Sequence, residues 1–260
     1  MSEPIYPNAP SAPNAPSAPN APDGASRAVP VVEIGYRTVG AFLVAYVNQI
    51  SKGELFVESP SLPPLGTPLL LKISVAPTTA MAIEGTVAWA REARGPGYPA
   101  GMSITLTPPS EAFGATVDRL AAGFTGFRVL LATTEAAPRA ILGRYLRSIL
   151  TCTVVDVDGE PDRALDLSTI DLAVIDLDSS GPRGYELGAR LRQRPRGAPV
   201  LGLAQLERDR ALALRSGFEE VLPNPPAFAD LDLAVRHCLS RPSMIHHATK
   251  YATLRGYGTD

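Results

Sequence analysis

The segment from Asp171 to Leu187 constrains the fold of this chain more than any other stretch of its sequence. It joins a short apolar run, Leu172–Ile175, to the carboxylate of Asp176, and then to a glycine turn and the start of a helix. An apolar run of this length indicates a strand buried on both faces, as in parallel sheets that are covered by helices. Asp176 would then lie at the carboxyl end of its strand, which is the edge where open α/β sheets bind ligands.

Strand and helix patterns alternate on both sides of this segment, over residues 127–240. We predict that each strand is followed by a helix, in five successive units, and such units predict a doubly wound parallel sheet with right-handed crossovers. The predicted strands are Phe127–Ala132, Cys152–Val157, Leu172–Leu177, Pro199–Leu203 and Glu219–Leu222, and the predicted helices are Ala136–Leu150, Pro161–Leu167, Gly184–Arg194, Leu206–Ser216 and Phe228–Leu239.

Residues 28–124 show β patterning instead, with short apolar runs between Gly and Pro turns, and this favours an antiparallel barrel. Ser110 is the predicted cap of a helix that ends at Gly123. The fold class is therefore α+β multidomain: a small six-stranded antiparallel β-barrel with a C-terminal helix, followed by a (βα)5 doubly wound domain. The predicted barrel strands are Val29–Arg37, Ala41–Val47, Leu55–Glu58, Pro68–Ala76, Met81–Arg91 and Tyr98–Leu106.

The two ends of the chain lack both patterns. Residues 1–27 carry a Pro/Ala/Asn-rich six-residue repeat with no side chains for a core, which predicts a disordered, extended tether. Residues 241–260 predict a C-terminal tail that is either disordered or a short segment that folds on a partner. No segment reaches the roughly 18 apolar residues of a membrane span, and no signal peptide is recognisable, so we expect a soluble cytoplasmic protein.

Three motifs of the first domain resemble the PilZ domain, a bacterial module best known for binding cyclic di-GMP. They are Gln49–Phe56, Gly66–Thr67, and Gly85–Trp89 followed by Pro99–Met102. In that family an arginine pair before the first strand and a later (D/N)xSxxG loop hold the dinucleotide. The resemblance therefore implies a small β-barrel that carries a nucleotide site.

The PilZ-like ligand site departs from the family pattern. The residues at its positions are Arg27, Gln49, Ser51 and Gly53, whereas Glu54 replaces the last glycine of the loop. A glutamate there brings negative charge towards a dianionic ligand and fills space that glycine leaves open. We therefore predict a degenerate, inactive cyclic di-GMP site and no bound cofactor, and residual cyclic di-GMP binding remains an alternative.

The segment around Asp176 resembles the phospho-acceptor loop of bacterial response-regulator receiver domains. Receiver chemistry needs an acidic pair for Mg²⁺, the acceptor aspartate, a hydroxyl and a lysine, because metal and lysine neutralise the phosphoryl group. Thr133 and Thr134 replace the acidic pair, Ala204 the hydroxyl and Asn224 the lysine. The resemblance therefore implies a pseudo-receiver, in which Asp176 is not phosphorylated and acts as a capping or hydrogen-bonding group.

The sequence contains no recognisable catalytic or metal constellation, so we predict that the protein is not an enzyme. Its net charge of −2 gives no electrostatic case for nucleic acid. We predict a non-catalytic bacterial signalling regulator or scaffold that acts through protein–protein contacts, with regulatory, motility or cell-polarity proteins as partners. A homodimer through the receiver-like domain stays open, as do two alternatives: a cyclic di-GMP-binding PilZ effector, and a two-component response regulator phosphorylated on Asp176.

Overall fold

The computed structural model describes residues 27–60, 62–75, 79–93, 100–157, 165–193, 197–242 and 244–254, which form two β-sheets with seven α-helices. In chain order the elements are β1 (Arg27–Tyr36), α1 (Val39–Asn48), β2 (Glu54–Glu58), β3 (Pro68–Val75), β4 (Thr79–Arg91), β5 (Gly101–Leu106), α2 (Glu111–Ala122), β6 (Phe127–Ala132), α3 (Ala136–Ile149), β7 (Cys152–Val157), β8 (Leu172–Asp176), α4 (Leu177–Ser180), α5 (Pro182–Arg192), β9 (Val200–Leu203), α6 (Glu207–Arg215), β10 (Glu220–Leu222), α7 (Phe228–Ser240) and β11 (Met244–Leu254).

The predicted doubly wound parallel sheet is confirmed. Its five strands follow the order β10-β9-β8-β6-β7, and every neighbouring pair is parallel. All residues of the central strands β8 and β9 are buried, because helices cover both faces. One apolar cluster lies between the sheet and α3 with α7, and a second lies on the opposite face with α5. The carboxyl ends of the strands therefore meet at one edge, where Asp176 lies.

One predicted helix of this region falls mostly on residues that the structure does not describe. Of the predicted helix Pro161–Leu167, only residues 165–167 are described, and Leu167 begins a short 3₁₀ turn, Leu167–Thr169. Asp166 caps this turn, because its Oδ1 accepts a hydrogen bond from the Ser168 amide at 2.9 Å. A capped turn therefore precedes β8 at the end of the connection from β7.

The first sheet differs from the predicted antiparallel barrel. Its six strands follow the order β11-β1-β3-β4-β5-β2, and β1 is parallel to β3. A parallel pair requires a crossover connection, and α1 with β2 supplies it here. Within the described ranges β2 pairs only with β5, and β11 pairs only with β1. The sheet is therefore mixed, and its hydrogen bonding leaves two edges instead of closing into a barrel.

The predicted strand Ala41–Val47 is wrong, because these residues lie in helix α1. Thr38 begins the helix, since its Oγ1 accepts a hydrogen bond from the Ala41 amide at 3.2 Å. Phe42 and Ala45 pack into the core of the first sheet, whereas Val44 packs against the core of the parallel sheet. A helix buried on opposite sides carries no polar stripe, so its short apolar run reads equally well as a strand.

The C-terminal segment also differs from the prediction of a tail without regular structure. Met244–Leu254 forms β11, which pairs antiparallel with β1 from Gly35↔Met244 to Arg27↔Leu254, with a register shift between Pro30 and Val31. The chain therefore returns to the first sheet after it completes the parallel one. A pairing partner within the chain takes the place of the external partner that the tail was expected to need.

Specific contacts join the two sheets. Arg37, which follows β1, donates from Nη1 to the carbonyl of Gly197 at 2.6 Å and from Nη2 to the carbonyl of Asp171. At Gly40 of α1, a Cβ would come within 2.4 Å of the Phe127 ring, so only glycine lets β6 approach this closely. Helices α1 and α7 also pack together. None of the described helices combines the length and apolar character needed to cross a membrane.

Candidate functional site

Asp176 is the centre of a hydrogen-bond network at the carboxyl end of the parallel sheet. The residue is 2% exposed. Oδ2 accepts hydrogen bonds from Thr133 Oγ1 at 3.0 Å and Ser179 Oγ at 2.8 Å. Oδ1 accepts from Asn224 Nδ2 at 3.0 Å and from the Ser179 amide at 3.3 Å. An ionised carboxylate offers about four lone-pair positions, so this one is saturated by protein donors.

The contact with the Ser179 amide caps helix α4 and fixes the start of the loop. Asp176 is therefore a capping and hydrogen-bonding group, as predicted. Ser179 was missed by the sequence reasoning, although a signal was present, because aspartate is a preferred N-cap residue that accepts a hydrogen bond from the amide two or three residues later. Ser179 Oγ also accepts from the Thr134 amide at 3.2 Å, which ties the β6 loop to the β8 loop.

Asn224, at the predicted lysine position, links the two aspartates of this loop. Its Nδ2 donates to Asp176 Oδ1 and also to Asp178 Oδ2, the latter at 2.8 Å. The Asp178 carboxylate in turn accepts from the Gln205 amide at 2.9 and 3.1 Å. An amide side chain thus contacts both carboxylates without neutralising them, whereas a lysine ammonium would add a positive charge.

The remaining predicted positions add no receiver chemistry. Ala204 is fully buried and presents no hydroxyl. Thr134 Oγ1 donates to the Ser179 carbonyl at 3.3 Å, and Glu135 is exposed. Among the residues that the structure describes, no group of three His, Cys, Asp or Glu side chains is arranged to hold a metal ion. Thr133 and Asn224 contact Asp176 directly, and Thr134 joins the same polar network through Ser179.

The predicted residues of the first sheet lie at two separate places in its strand order. Arg27 lies at the start of β1, and β3, β4 and β5 separate β1 from β2, which follows Gln49, Ser51 and Gly53. Gln49 Oε1 accepts from the Phe56 amide at 3.0 Å, and Ser51 Oγ donates to the Val47 carbonyl at 3.3 Å. Gly53 adopts a φ of 78°, a left-handed conformation that glycine favours, between a 3₁₀ turn and β2. The two side-chain hydrogen bonds and the glycine conformation thus stabilise the loop between α1 and β2.

A cleft of about 520 Å³ lies between the outer face of the first sheet and the β10–α7 edge of the parallel sheet, and the sequence reasoning missed it. The residues that line the cleft lie far apart in the chain, so no local sequence motif predicts it. We name this space the inter-sheet cleft; its charged and aromatic lining residues are Glu54, Phe56, Glu58, Trp89, Arg91, Glu219, Glu220, His237 and Arg241.

Two stacked aromatic rings form one wall of the inter-sheet cleft. The Phe56 and Trp89 rings lie 5.6 Å apart at an interplanar angle of 27°. Both residues are neighbours of Ser103 on β5, so a small side chain lies between them in the sheet. A register shift between Val87 and Trp89 interrupts the alternation of β4, and Trp89 is 46% exposed. Trp89 is therefore no part of the core and presents its ring to the cleft.

Acidic side chains outnumber basic ones around the inter-sheet cleft. Arg241 forms an ion pair with Glu58, and His237 Nδ1 lies 2.7 Å from Glu220 Oε1. Burial raises the pKa of Glu219, although its Oε2 accepts a hydrogen bond from the Val200 amide at 2.5 Å. Even without Glu219, three glutamates stand against two arginines, so the lining has an excess of negative charge while His237 is neutral.

Comparisons with known proteins return receiver domains among solved structures. No protein-family model and no curated protein matches the chain. A putative response regulator from Chloroflexus aurantiacus is 24% identical, with 44% of this chain and 98% of that chain covered and a TM-score of 0.39. The receiver domain of a Pseudomonas aeruginosa sensor histidine kinase, with magnesium in its active-site cleft, is 21% identical. The match covers 44% of this chain and 98% of that chain, with a TM-score of 0.36. A putative pilus assembly protein from Burkholderia thailandensis is 21% identical. The match covers 44% of this chain and 99% of that chain, with a TM-score of 0.39.

Proposed function

We propose that this chain is a non-catalytic signalling regulator or scaffold whose parallel-sheet part is a pseudo-receiver and whose first sheet is PilZ-like. The observation that carries the proposal is the saturated carboxylate of Asp176, which accepts four hydrogen bonds at a buried position. A phospho-acceptor must present a free oxygen to the incoming phosphorus, beside a metal ion that shields the charge. Here protein donors occupy both oxygens, so the fold keeps the aspartate for its structural contacts.

The groups around Asp176 support the same proposal. Thr133 and Asn224 contact its carboxylate as neutral donors, and neither can hold Mg²⁺ as an acidic pair would, nor neutralise a phosphoryl group as a lysine would. Catalysis of phosphoryl transfer is almost entirely positioning and charge neutralisation, so the loss of both removes the reaction. The remaining use of the fold is its surface, and we therefore assign the chain a role through protein contacts. The motility or cell-polarity setting rests on the resemblance alone.

Incubation with Mg²⁺ and acetyl phosphate, followed by intact-mass measurement, tests this proposal. We expect no added phosphoryl group in the natural chain. The matched positive control is the triple variant Thr133→Asp, Ala204→Thr, Asn224→Lys, which restores an acid, the hydroxyl and the lysine around Asp176. A phosphoryl adduct on the natural chain that disappears in Asp176→Asn would overturn the proposal and establish a working response regulator.

Three observations weigh against the alternative of a cyclic di-GMP effector. The side-chain oxygen of Gln49 already accepts a hydrogen bond from the Phe56 amide. Arg27 lies in β1, which three other strands separate from β2 in the sheet. The inter-sheet cleft, which Gln49 also lines, carries excess negative charge. A dianionic ligand would meet repulsion there. Calorimetric titration with cyclic di-GMP measures this directly, and we expect no heat of binding at micromolar concentrations. Micromolar binding that is abolished by Arg27→Ala would establish the effector instead.

A further inference from the structure

We infer that the inter-sheet cleft binds an arginine side chain from a basic segment of a partner protein, by stacking on Trp89 and pairing with Glu54 and Glu220. The inference rests on the proposed function, because it takes the ligand to be a protein. It goes further by naming the surface and the chemistry of the partner. Trp89 and Glu54 come from the first sheet and Glu220 from the parallel sheet, so the bound side chain would contact both parts of the chain.

The aromatic wall of the cleft is held rigidly by the sheet beneath it. A Cβ at Gly101 would lie 2.4 Å from Cζ of Phe56, so this ring rests directly on the β5 backbone. Trp89 stacks on Phe56 from the strand on the other side of β5. The platform is therefore formed before any ligand arrives, and little side-chain entropy is lost when a second planar group stacks on it.

A guanidinium group already uses this platform within the chain. Arg91 Cζ lies 4.7 Å from the centroid of the Phe56 ring, within the range of cation–π attraction. Indole is a better acceptor for such contacts than benzene, and Trp89 is 46% exposed to solvent. The chemistry that Phe56 shows with an internal arginine is thus available on Trp89 for an external one.

Two glutamates of the inter-sheet cleft have carboxylate oxygens that no described residue contacts through a hydrogen bond. Glu54 is exposed and makes no ion pair or side-chain hydrogen bond within the described part of the chain. Glu220 uses Oε1 for His237, while its Oε2 is buried and has no hydrogen-bond partner among the described residues. A carboxylate oxygen that has left water without a partner favours a cationic donor. The lining therefore selects a cation, which offsets the repulsion that Arg91 would exert on it.

Arginine fits these features better than lysine. Its guanidinium is planar, so it can stack on the indole face while its N–H groups reach carboxylates at the ring edge. A lysine ammonium is more strongly hydrated and makes only point contacts. The cleft volume of about 520 Å³ is larger than one side chain needs, so residues that flank the arginine in a partner segment can enter with it.

The single tryptophan of the chain makes the test direct, because its fluorescence reports on the cleft alone. The full-length protein is titrated with a blocked hexapeptide of alternating arginine and glycine. Matched peptides carry lysine or citrulline in place of arginine, and blocked arginine amide represents the free cation. We expect a saturable fluorescence change with the arginine peptide, at least fivefold weaker binding of the lysine peptide, and none of the citrulline peptide. Binding should weaken as salt rises, because the contacts are partly exposed.

Variants assign the binding to the named residues, with calorimetry as the readout where tryptophan is replaced. Glu54→Gln and Trp89→Leu should each weaken the arginine peptide by about fivefold or more, since cation–π and ion-pair contacts of this kind are worth about that factor. Trp89→Phe should retain most of the affinity. Glu186→Gln, an equal charge change on exposed α5 outside the cleft, should leave affinity unchanged.

Several outcomes would overturn the inference. It is wrong if the arginine peptide gives no saturable change, if the citrulline peptide binds equally, or if Glu186→Gln weakens binding as much as Glu54→Gln. Binding of free blocked arginine without binding of the peptide would rule out a protein partner. None of these results concerns Asp176, so the proposed function stands or falls separately, on the reaction with acetyl phosphate.

Discussion

Replacement of Asp176 by alanine tests the idea that this carboxylate is a structural hub. The change leaves four donors without their acceptor at a position that is 2% exposed. Each hydrogen bond to a charged group contributes about 1.5–3 kcal/mol, but the cost of burying the carboxylate disappears with it. We therefore expect a net loss of about 3 kcal/mol in the free energy of unfolding. In a chain of this length, this corresponds to a fall of roughly 6–12 °C in Tm.

Asparagine at position 176 is the matched control, because it has nearly the same shape. Its amide oxygen can keep the bonds from Asn224 and the Ser179 amide, while its NH₂ donates to the Thr133 and Ser179 hydroxyls, which reverse their roles. We expect Asp176→Asn to lie within about 1 kcal/mol of the natural chain. A working acceptor would behave differently, because removing one carboxylate from an acidic cluster relieves repulsion.

Urea and thermal unfolding followed by far-UV circular dichroism measure these differences. Trp89 fluorescence, recorded in parallel, shows whether the first sheet unfolds in the same transition. The hub interpretation is refuted if the alanine variant unfolds at the natural temperature, or if asparagine and alanine are equally destabilising.

Three further changes test the contacts between and within the sheets. Burial raises the pKa of Glu219, so the stability that its protonated side chain contributes is present below pH 4.5 and is lost as pH rises through the raised pKa. The Glu219→Gln variant should therefore have a higher Tm than the natural chain at pH 8, and this difference should disappear near pH 4.5. Arg37→Met removes two hydrogen bonds between the sheets and should cost about 2 kcal/mol in urea unfolding, and Arg37→Lys should recover little, because an ammonium lacks the planar fork. Gly40→Ala drives a Cβ against the Phe127 ring and should lower Tm by several degrees, whereas Gly114→Ala, which meets open space within α2, should leave Tm unchanged or raise it. An equal effect of the two glycine changes would contradict the close packing at Gly40.

The parallel sheet could be predicted from the sequence because its signals are local. The run Leu172–Ile175 is buried on both faces in any arrangement of neighbours, and the βα alternation limits the topology to few choices. Helix α1 was mistaken for a strand because its environment is not local: it lies between two cores, and this removes the polar stripe that identifies surface helices. β11 was missed for a similar reason, since its partner β1 lies at the opposite end of the chain.

The candidate sites show the same limit. The position of Thr133, Asp176 and Asn224 at one edge of the sheet could be inferred, because the strand ends fix which residues meet there. Their contacts could not be predicted, since the path of Asn224 to both Asp176 and Asp178 depends on loop geometry. The inter-sheet cleft depends on how two separate sheets pack, and no spacing along the chain shows that Glu220 and Trp89 line the same space.

Because β11 returns to the first sheet, this sheet cannot be completed until late in the synthesis of the described chain. Strand β1 precedes the other described elements in the chain, but its antiparallel partner β11 follows all of them. After β5 is complete, the ribosome still has to make residues 107–243 before β11, which takes on the order of ten seconds at about 5–20 residues per second. Throughout this interval one edge of β1 has no partner from its own chain, and open strand edges recruit foreign strands. The newborn chain is therefore most vulnerable to misassembly after its first sheet has collapsed and before its last strand emerges.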